Sequence, residues 1–302
     1  MRKGMLLCTA LVLAGMLMPC IGEGFLDAGT GARTVGMGGG IVAMVRDADA
    51  VFVNPSGLSG LGGNEVIYTN CSLLYTGLEG DNLGQHVVSV GMRMGGLGVG
   101  LGYQRIGSEV FGENGLTVGL GVGLGESLEL GVSGTYYFWS AELPAGDPLD
   151  GSGSGLGIGV GMLWESPVGL VLGGYVSDLN QPKISEGDVV GDADAGKLPM
   201  DAHVGVSYGL EGGVLGMEVV LEDLSGDEMS KRLLFGGEWD LLEGLVLRGG
   251  GSKILEEGMS GGGNVGVGYQ LGNSLRFDYS YSIPFDMIET QGSHRFSLGY
   301  AF

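Results

Sequence analysis

Two neighbouring stretches near the end of the chain restrict the fold more than any other feature. Leu275, Phe277, Tyr279, Tyr281 and Ile283 alternate with Arg276, Asp278, Ser280 and Ser282. Phe296, Leu298, Tyr300 and Phe302 then alternate with Arg295, Ser297, Gly299 and Ala301. A period of two is that of a β-strand, whose successive side chains point to opposite faces. One face here is continuously apolar or aromatic, while the other carries charges and small groups. Strands of this kind suit lipid on one side and a wet lumen on the other, which predicts a transmembrane β-barrel. Phe296, Leu298, Tyr300 and Phe302 are read as a C-terminal assembly signal for the outer-membrane assembly machinery.

The same alternation runs back to Asn64. It predicts about fourteen strands, at 64–75, 84–95, 97–109, 114–125, 127–140, 153–165, 167–178, 198–210, 212–223, 230–239, 243–254, 261–271, 273–284 and 291–302. Tight connections at Gly95-Gly96, Glu126, Ser166, Glu211-Gly212, Leu241-Leu242 and Gly272-Asn273 take turns with longer ones at 76–83, 107–113, 141–152, 179–197, 224–229, 255–260 and 285–290. Bacterial outer-membrane barrels have this rhythm, with short periplasmic turns and long outer loops. Trp164 and Trp239 fall at the tight-turn end, and Tyr136, Phe138 and Trp139 at the other, as two aromatic belts require.

Glycine, at 66 of 302 residues, has to be explained by this fold. Much of it occupies one face of a strand: Leu116, Val118, Leu120, Val122 and Leu124 alternate with Gly119, Gly121 and Gly123, and residues 153–164 repeat the pattern. Strand glycine marks a bend or close approach by another backbone. A lumen walled by glycine is smooth, and leaves room for a segment packed inside.

Charge excludes several functions. Fourteen Lys and Arg stand against 35 Asp and Glu, a net charge of -21, so no nucleic acid and no polybasic membrane docking are expected. Residues 1–22 read as a signal peptide: Arg2 and Lys3, an apolar run from Met5 to Met18, and a cleavage site at Cys20-Ile21-Gly22. Cys71 then lacks a disulfide partner. His86, His203 and His294 are scattered, without metal spacing. Gly191 to Lys197 copies only part of a phosphate loop, with Asp192 and Asp194 where a phosphate would sit. Asp188, Asp192 and Asp194 are read as a solvated acidic loop. No nucleophile–base set stands out, so no enzyme, cofactor or metal is expected.

Residues 23–62 differ from the rest, being rich in Gly and Ala without sustained alternation. Within them, Gly31-Ala32-Arg33, Gly36-Met37-Gly38-Gly39, Asp47, Ala50, Asn54-Pro55 and Gly57-Leu58 follow a recognisable order. The stretch resembles the N-terminal signature of the long-chain fatty acid transporter (FadL) family and the related PorV/PorQ-type outer-membrane proteins. Gly40, Arg46, Phe52-Val53 and Ser56 depart from that pattern. The resemblance implies a fourteen-stranded barrel, 63–302, with residues 23–62 as a hatch inside it. The hatch motif is then Gly36, Met37, Gly38, Gly39, Asp47, Asp49, Asn54, Pro55 and Gly57.

Two functions follow from the resemblance: passage of a small hydrophobic ligand across the outer membrane, or a platform for secretion-system proteins. Outer-membrane lipid surrounds the barrel in either case. Alternation places Arg93, Arg248, Arg276 and Arg295 in the lumen. Each lumen arginine there needs water or a carboxylate. Asp47, Asp49 and the backbone of residues 29–58 are candidates, as are Glu218, Glu238 and Asp278 on the barrel.

Overall fold

The computed structural model describes residues 29–39, 41–72, 84–108, 111–141, 151–184, 197–226, 229–255, 260–285 and 292–302. The signal segment and the loop acids Asp188, Asp192 and Asp194 lie outside these residues. The strands are β1 (Glu65–Ser72), β2 (Gly84–Met94), β3 (Leu97–Gly107), β4 (Phe111–Leu124), β5 (Leu128–Ala141), β6 (Gly151–Glu165) and β7 (Leu170–Ser177). They continue as β8 (Asp201–Leu210), β9 (Gly213–Glu222), β10 (Ser230–Leu242), β11 (Leu245–Ile254), β12 (Gly261–Leu271), β13 (Leu275–Pro284) and β14 (Ser293–Ala301). Each pairs antiparallel with its sequence neighbours, and β14 closes on β1 with Glu65 opposite Ala301 and Ser72 opposite His294. Closure leaves no sheet edge in the ring, which a wall surrounded by lipid requires.

Glycine encodes the short-turn end. Every connection there carries one glycine at positive φ: Gly95, Gly125, Gly169, Gly212, Gly244 and Gly272. A hairpin matching the strand twist demands that backbone region, which side chains disfavour. Three expected boundaries move for physical reasons. A register shift between Asp240 and Leu242 carries β10 through Leu241-Leu242, so the turn falls at Glu243-Gly244. The turn after β6 occupies Ser166–Gly169, closed by Gly169 N–H donating to Ser166 O at 3.0 Å. The connection expected over 107–113 is largely strand, because Arg105 pairs with Asn114 and Gly107 with Gly112. Apolar alternation fades there while backbone pairing continues.

The two faces sort as alternation predicts. Phe296, Leu298, Tyr300 and Phe302 are exposed outward, as are Leu116, Leu120, Ile158, Val204 and Phe277. Arg295, Ser297, Asp278 and Ser280 are buried inward. Trp139 departs from the expected belt: Tyr136 and Phe138 face out, but Trp139 has the inward phase and donates from Nε1 to Ile184 O at 2.9 Å. The apolar cluster inside the barrel is not built from strands, although Ile67, Val87, Leu163 and Val220 of the sheet are also buried. Met37, Ile41, Met44, Val45, Ala50, Leu58 and Leu61 form it, all from the N-terminal segment.

Candidate functional site

Residues 30–39 and 41–62 pack against the inward faces of the strands through two short helices, α1 (Ala32–Gly36) and α2 (Ala50–Val53), and a 3-10 turn (Pro55–Gly60). Helices this short are unstable alone, so tertiary contacts must hold them. Asn54 organises the turn. Its Oδ1 accepts from Ser56 N and Ser56 Oγ at 3.2 and 2.6 Å, and its Nδ2 donates to Val42 O at 2.9 Å and to Met162 O of β6 at 3.3 Å. Pro55 follows at the first helical position, where its missing N–H costs no bond.

Strand glycine is the footprint of this segment. A methyl group on Gly98 or Gly121 would overlap backbone of Leu58, Ser59 or Pro55, and one on Gly131 would overlap Pro55 and Ser56. Across the lumen, Gly236 and Gly250 receive the Met37 carbonyl, and Gly173 and Gly205 receive Ala43 and Val42. Gly38 and Gly39, at φ 79° and 82°, turn the chain where it touches β10 and β11. Gly36 lies against Gly266, and Gly57 against the Val45 carbonyl.

Polar contacts complete the docking. Asp47 Oδ2 receives Arg33 Nη1 at 3.1 Å and Arg276 Nη2 at 3.2 Å. Arg33 also reaches Glu238 through Nη2 at 2.7 Å and Nε at 3.1 Å. Arg248 bonds Glu238 at 3.0 Å and Asp278 at 2.7 Å, and Arg276 bonds Asp278 at 2.9 Å. The six groups make a closed ring: Asp47, Arg33, Glu238, Arg248, Asp278, Arg276 and back to Asp47. Three positive and three negative charges cancel, with two members from the segment and four from the barrel.

Beyond the ring, Asp49 Oδ1 accepts from Ser89 Oγ at 2.6 Å, and Glu218 Oε2 from Val42 N at 2.9 Å. Ser297 Oγ accepts from Ala32 N at 2.9 Å, and Glu65 Oε1 from Ala48 N at 2.7 Å. Arg46 pairs with Glu129 and, at 3.7 Å, with Glu165.

Of the lumen arginines singled out in the sequence, only Arg276 meets Asp47. Arg93 donates to Leu61 O at 3.1 Å, Arg248 pairs with barrel carboxylates, and Arg295 donates to Gln85 Oε1 at 3.3 Å. Arg33, the second partner of Asp47, was not among the expected site residues. Nor were Glu65, Glu129 and Ser297, although each sits at an inward position that alternation identifies.

The two segment acids differ in environment. Burial alone would raise Asp47, but Arg276 and Arg33 outweigh it and hold the carboxyl below its ordinary value. Burial pushes Asp49 up to about 7, and the neighbouring Asp47 charge adds to the shift. Two carboxylates two residues apart thus prefer opposite protonation states.

Towards the long-connection end, residues 178–184 turn inward over β6. Tyr137 Oη donates to Asp178 Oδ2 at 3.1 Å, and Ile184 covers Gly153 and Gly155. The lumen is thereby narrowed above the N-terminal segment.

The fold and site define a closed fourteen-stranded barrel of the outer-membrane type, with an N-terminal segment docked within. No family model and no curated protein matches the sequence. Solved structures do match the fold. The Pseudomonas putida toluene transporter TodX aligns at TM-score 0.67 and 12% identity, over 91% of this chain and 99% of that one. The CymD monoaromatic hydrocarbon channel aligns at 0.65 and 13%, over 92% and 99%. A Pseudomonas aeruginosa FadL homologue aligns at 0.62 and 14%, over 93% and 100%. At these identities the likeness is one of fold.

Proposed function

We propose that this protein is an outer-membrane channel through which small hydrophobic compounds pass, with residues 30–62 as its hatch. The carrying observation is how that segment is held. The segment rests on bare glycine on both walls of the lumen, where sliding breaks few side-chain contacts, and a ring of ion pairs with β10, β11 and β13 fixes it. Such an occlusion is removable without unfolding the strands. An apolar compound would enter at the long-connection end, past residues 178–184, and displacement of the segment would let it through. The apolar outward faces and the fold shared with hydrocarbon channels support the membrane placement and the substrate class. No observation favours the secretion-platform alternative.

The test is uptake of a radiolabelled apolar compound such as toluene by cells with and without the gene. Slower uptake on deletion, restored by the parent chain, is the expected result. Equal uptake, with the protein in the outer-membrane fraction, would refute the channel role while leaving the placement intact.

A further inference from the structure

The outward face of the barrel carries a charge pattern that the channel role does not use. Among the described strands, no Asp or Glu occupies an outward position, although the chain holds 35 of them. Three cations do: Arg105 on β3, Lys231 on β10 and Lys253 on β11. His86 and His294 are also outward. All five stand at the long-connection end. The cost of a charge on a lipid-facing wall falls to about 0–1 kcal/mol near the interface, so charge is tolerated at this end, and what needs a reason is that all of it is positive.

Around β2 the polar groups form one row. Asn70, His86, Arg105 and Asn114 are register partners across β1, β2, β3 and β4. Tyr68 Oη and Asn70 Nδ2 contact His86 Nδ1 at 2.9 and 3.3 Å. An amide N–H can only donate, so Nδ1 is the acceptor and the proton sits on Nε2. That Nε2–H has no partner among the described residues. Arg105 Nη1 donates to Asn114 Oδ1 at 3.2 Å, and among the described residues no carboxylate meets its guanidinium. A guanidinium without a carboxylate and an imidazole N–H without an acceptor are therefore neighbours on a face turned towards lipid.

Directly beside the row lies a groove of about 470 Å³ on the outer wall, across β12, β13, β14 and β1. Val267, Tyr269, Phe277, Tyr279 and Phe296 line it, and Tyr68 and Asn70 form its border with His86. Aromatic belts anchor any barrel in any bilayer. A belt alone does not need a groove that opens onto a cation without a counter-charge and a free imidazole N–H.

We propose that this surface binds one phosphorylated lipid of the outer leaflet, its phosphate on Arg105 and His86 Nε2–H and an acyl chain in the groove. The proposal rests on the membrane placement above and is independent of transport. A guanidinium and an imidazole N–H supply charge-assisted bonds to phosphate oxygens. In a chain of net charge -21, a phosphate would otherwise be repelled, so local cations are needed to admit it.

The experiment is native mass spectrometry of the full chain in detergent, with bisphosphorylated lipid A or its dephosphorylated form as probe. The parent should retain the phosphorylated form at least about tenfold better, the size expected of one charged hydrogen bond at the low end of its range. Arg105→Gln with His86→Gln should abolish that preference, and Val267→Trp, which fills the groove, should weaken retention of both forms. Heat-modifiable migration and insertion into vesicles confirm that each variant is folded and membrane-embedded. Equal retention of the two forms, or a preference unchanged in the double variant, overturns the proposal. A dimer that Val267→Trp dissociates overturns it in favour of a second copy in the groove. A chain that does not insert into vesicles would refute the membrane placement, a result separable from loss of lipid preference in an inserted barrel.

Discussion

Replacing Asp47 by Ala removes the one acid of the ring that belongs to the N-terminal segment. Arg33 and Arg276 each lose a charge-assisted bond to the same oxygen, at 3.1 and 3.2 Å. A bond to a charged group contributes about 1.5–3 kcal/mol. Both arginines keep a second carboxylate, Glu238 and Asp278 respectively, so neither is left as an isolated buried charge. They are also 18% and 23% exposed, and water will solvate part of what is lost. A net cost of about 2–4 kcal/mol to docking of the segment follows from those two bonds. That multiplies the undocked population about 30- to 700-fold. The barrel should be unaffected, because Arg248–Asp278, Arg248–Glu238 and Arg276–Asp278 remain. Single-channel conductance in planar bilayers, with amide exchange of residues 30–62, reads both quantities. Conductance and protection both at parental levels would mean that glycine packing holds the segment and the ion ring is incidental.

Three further outcomes are expected. Gly131→Val or Gly236→Val should expel the segment at a cost of about 1–3 kcal/mol, because a side chain there overlaps its backbone. Gly134→Val, which meets nothing within 4 Å, should be silent in the same amide-exchange measurement. Because the folded pKa of Asp49 lies near 7, above its ordinary value, the docked state binds the extra proton. Its contribution is complete below about pH 4 and lost as pH rises through 7. Asp49→Asn should flatten that pH dependence of exchange in residues 30–62. Finally, Leu120→Arg puts a charge on the exposed wall in the middle of β4, and should cost the barrel about 2–4 kcal/mol in a vesicle unfolding titration.

The barrel was legible in the chain because its information is local. Outward and inward positions are set by a two-residue period, and every short turn is punctuated by a glycine at positive φ. Strand number, closure, and the faces of Phe296, Leu298, Arg276 and Arg295 follow from those signals. Of the three boundaries that move, two fall where the local signal is ambiguous: the bulge at Asp240/Leu242 adds a residue without a change in composition, and Phe111, Gly112 and Glu113 lack apolar alternation although they pair as strand.

What joins which was not local, and only the tertiary structure decided it. Alternation puts Arg93, Arg248, Arg276 and Arg295 inward but gives no height or azimuth, so it cannot choose between Asp47 and Asp278 as a partner. The choice depends on where residues 30–62 settle, and that is fixed by close approach of backbones. The Met37 backbone settles over Gly236 and Gly250, and Pro55 over Gly121, Gly131 and Gly161, where any side chain would be in the way. With those contacts made, Arg33 reaches Glu238 across 205 residues of sequence, and the six-membered charge ring closes. Glycine runs in the sequence mark that something must lie against the wall. The structure supplies which backbone lies there, and with it the charges that hold it.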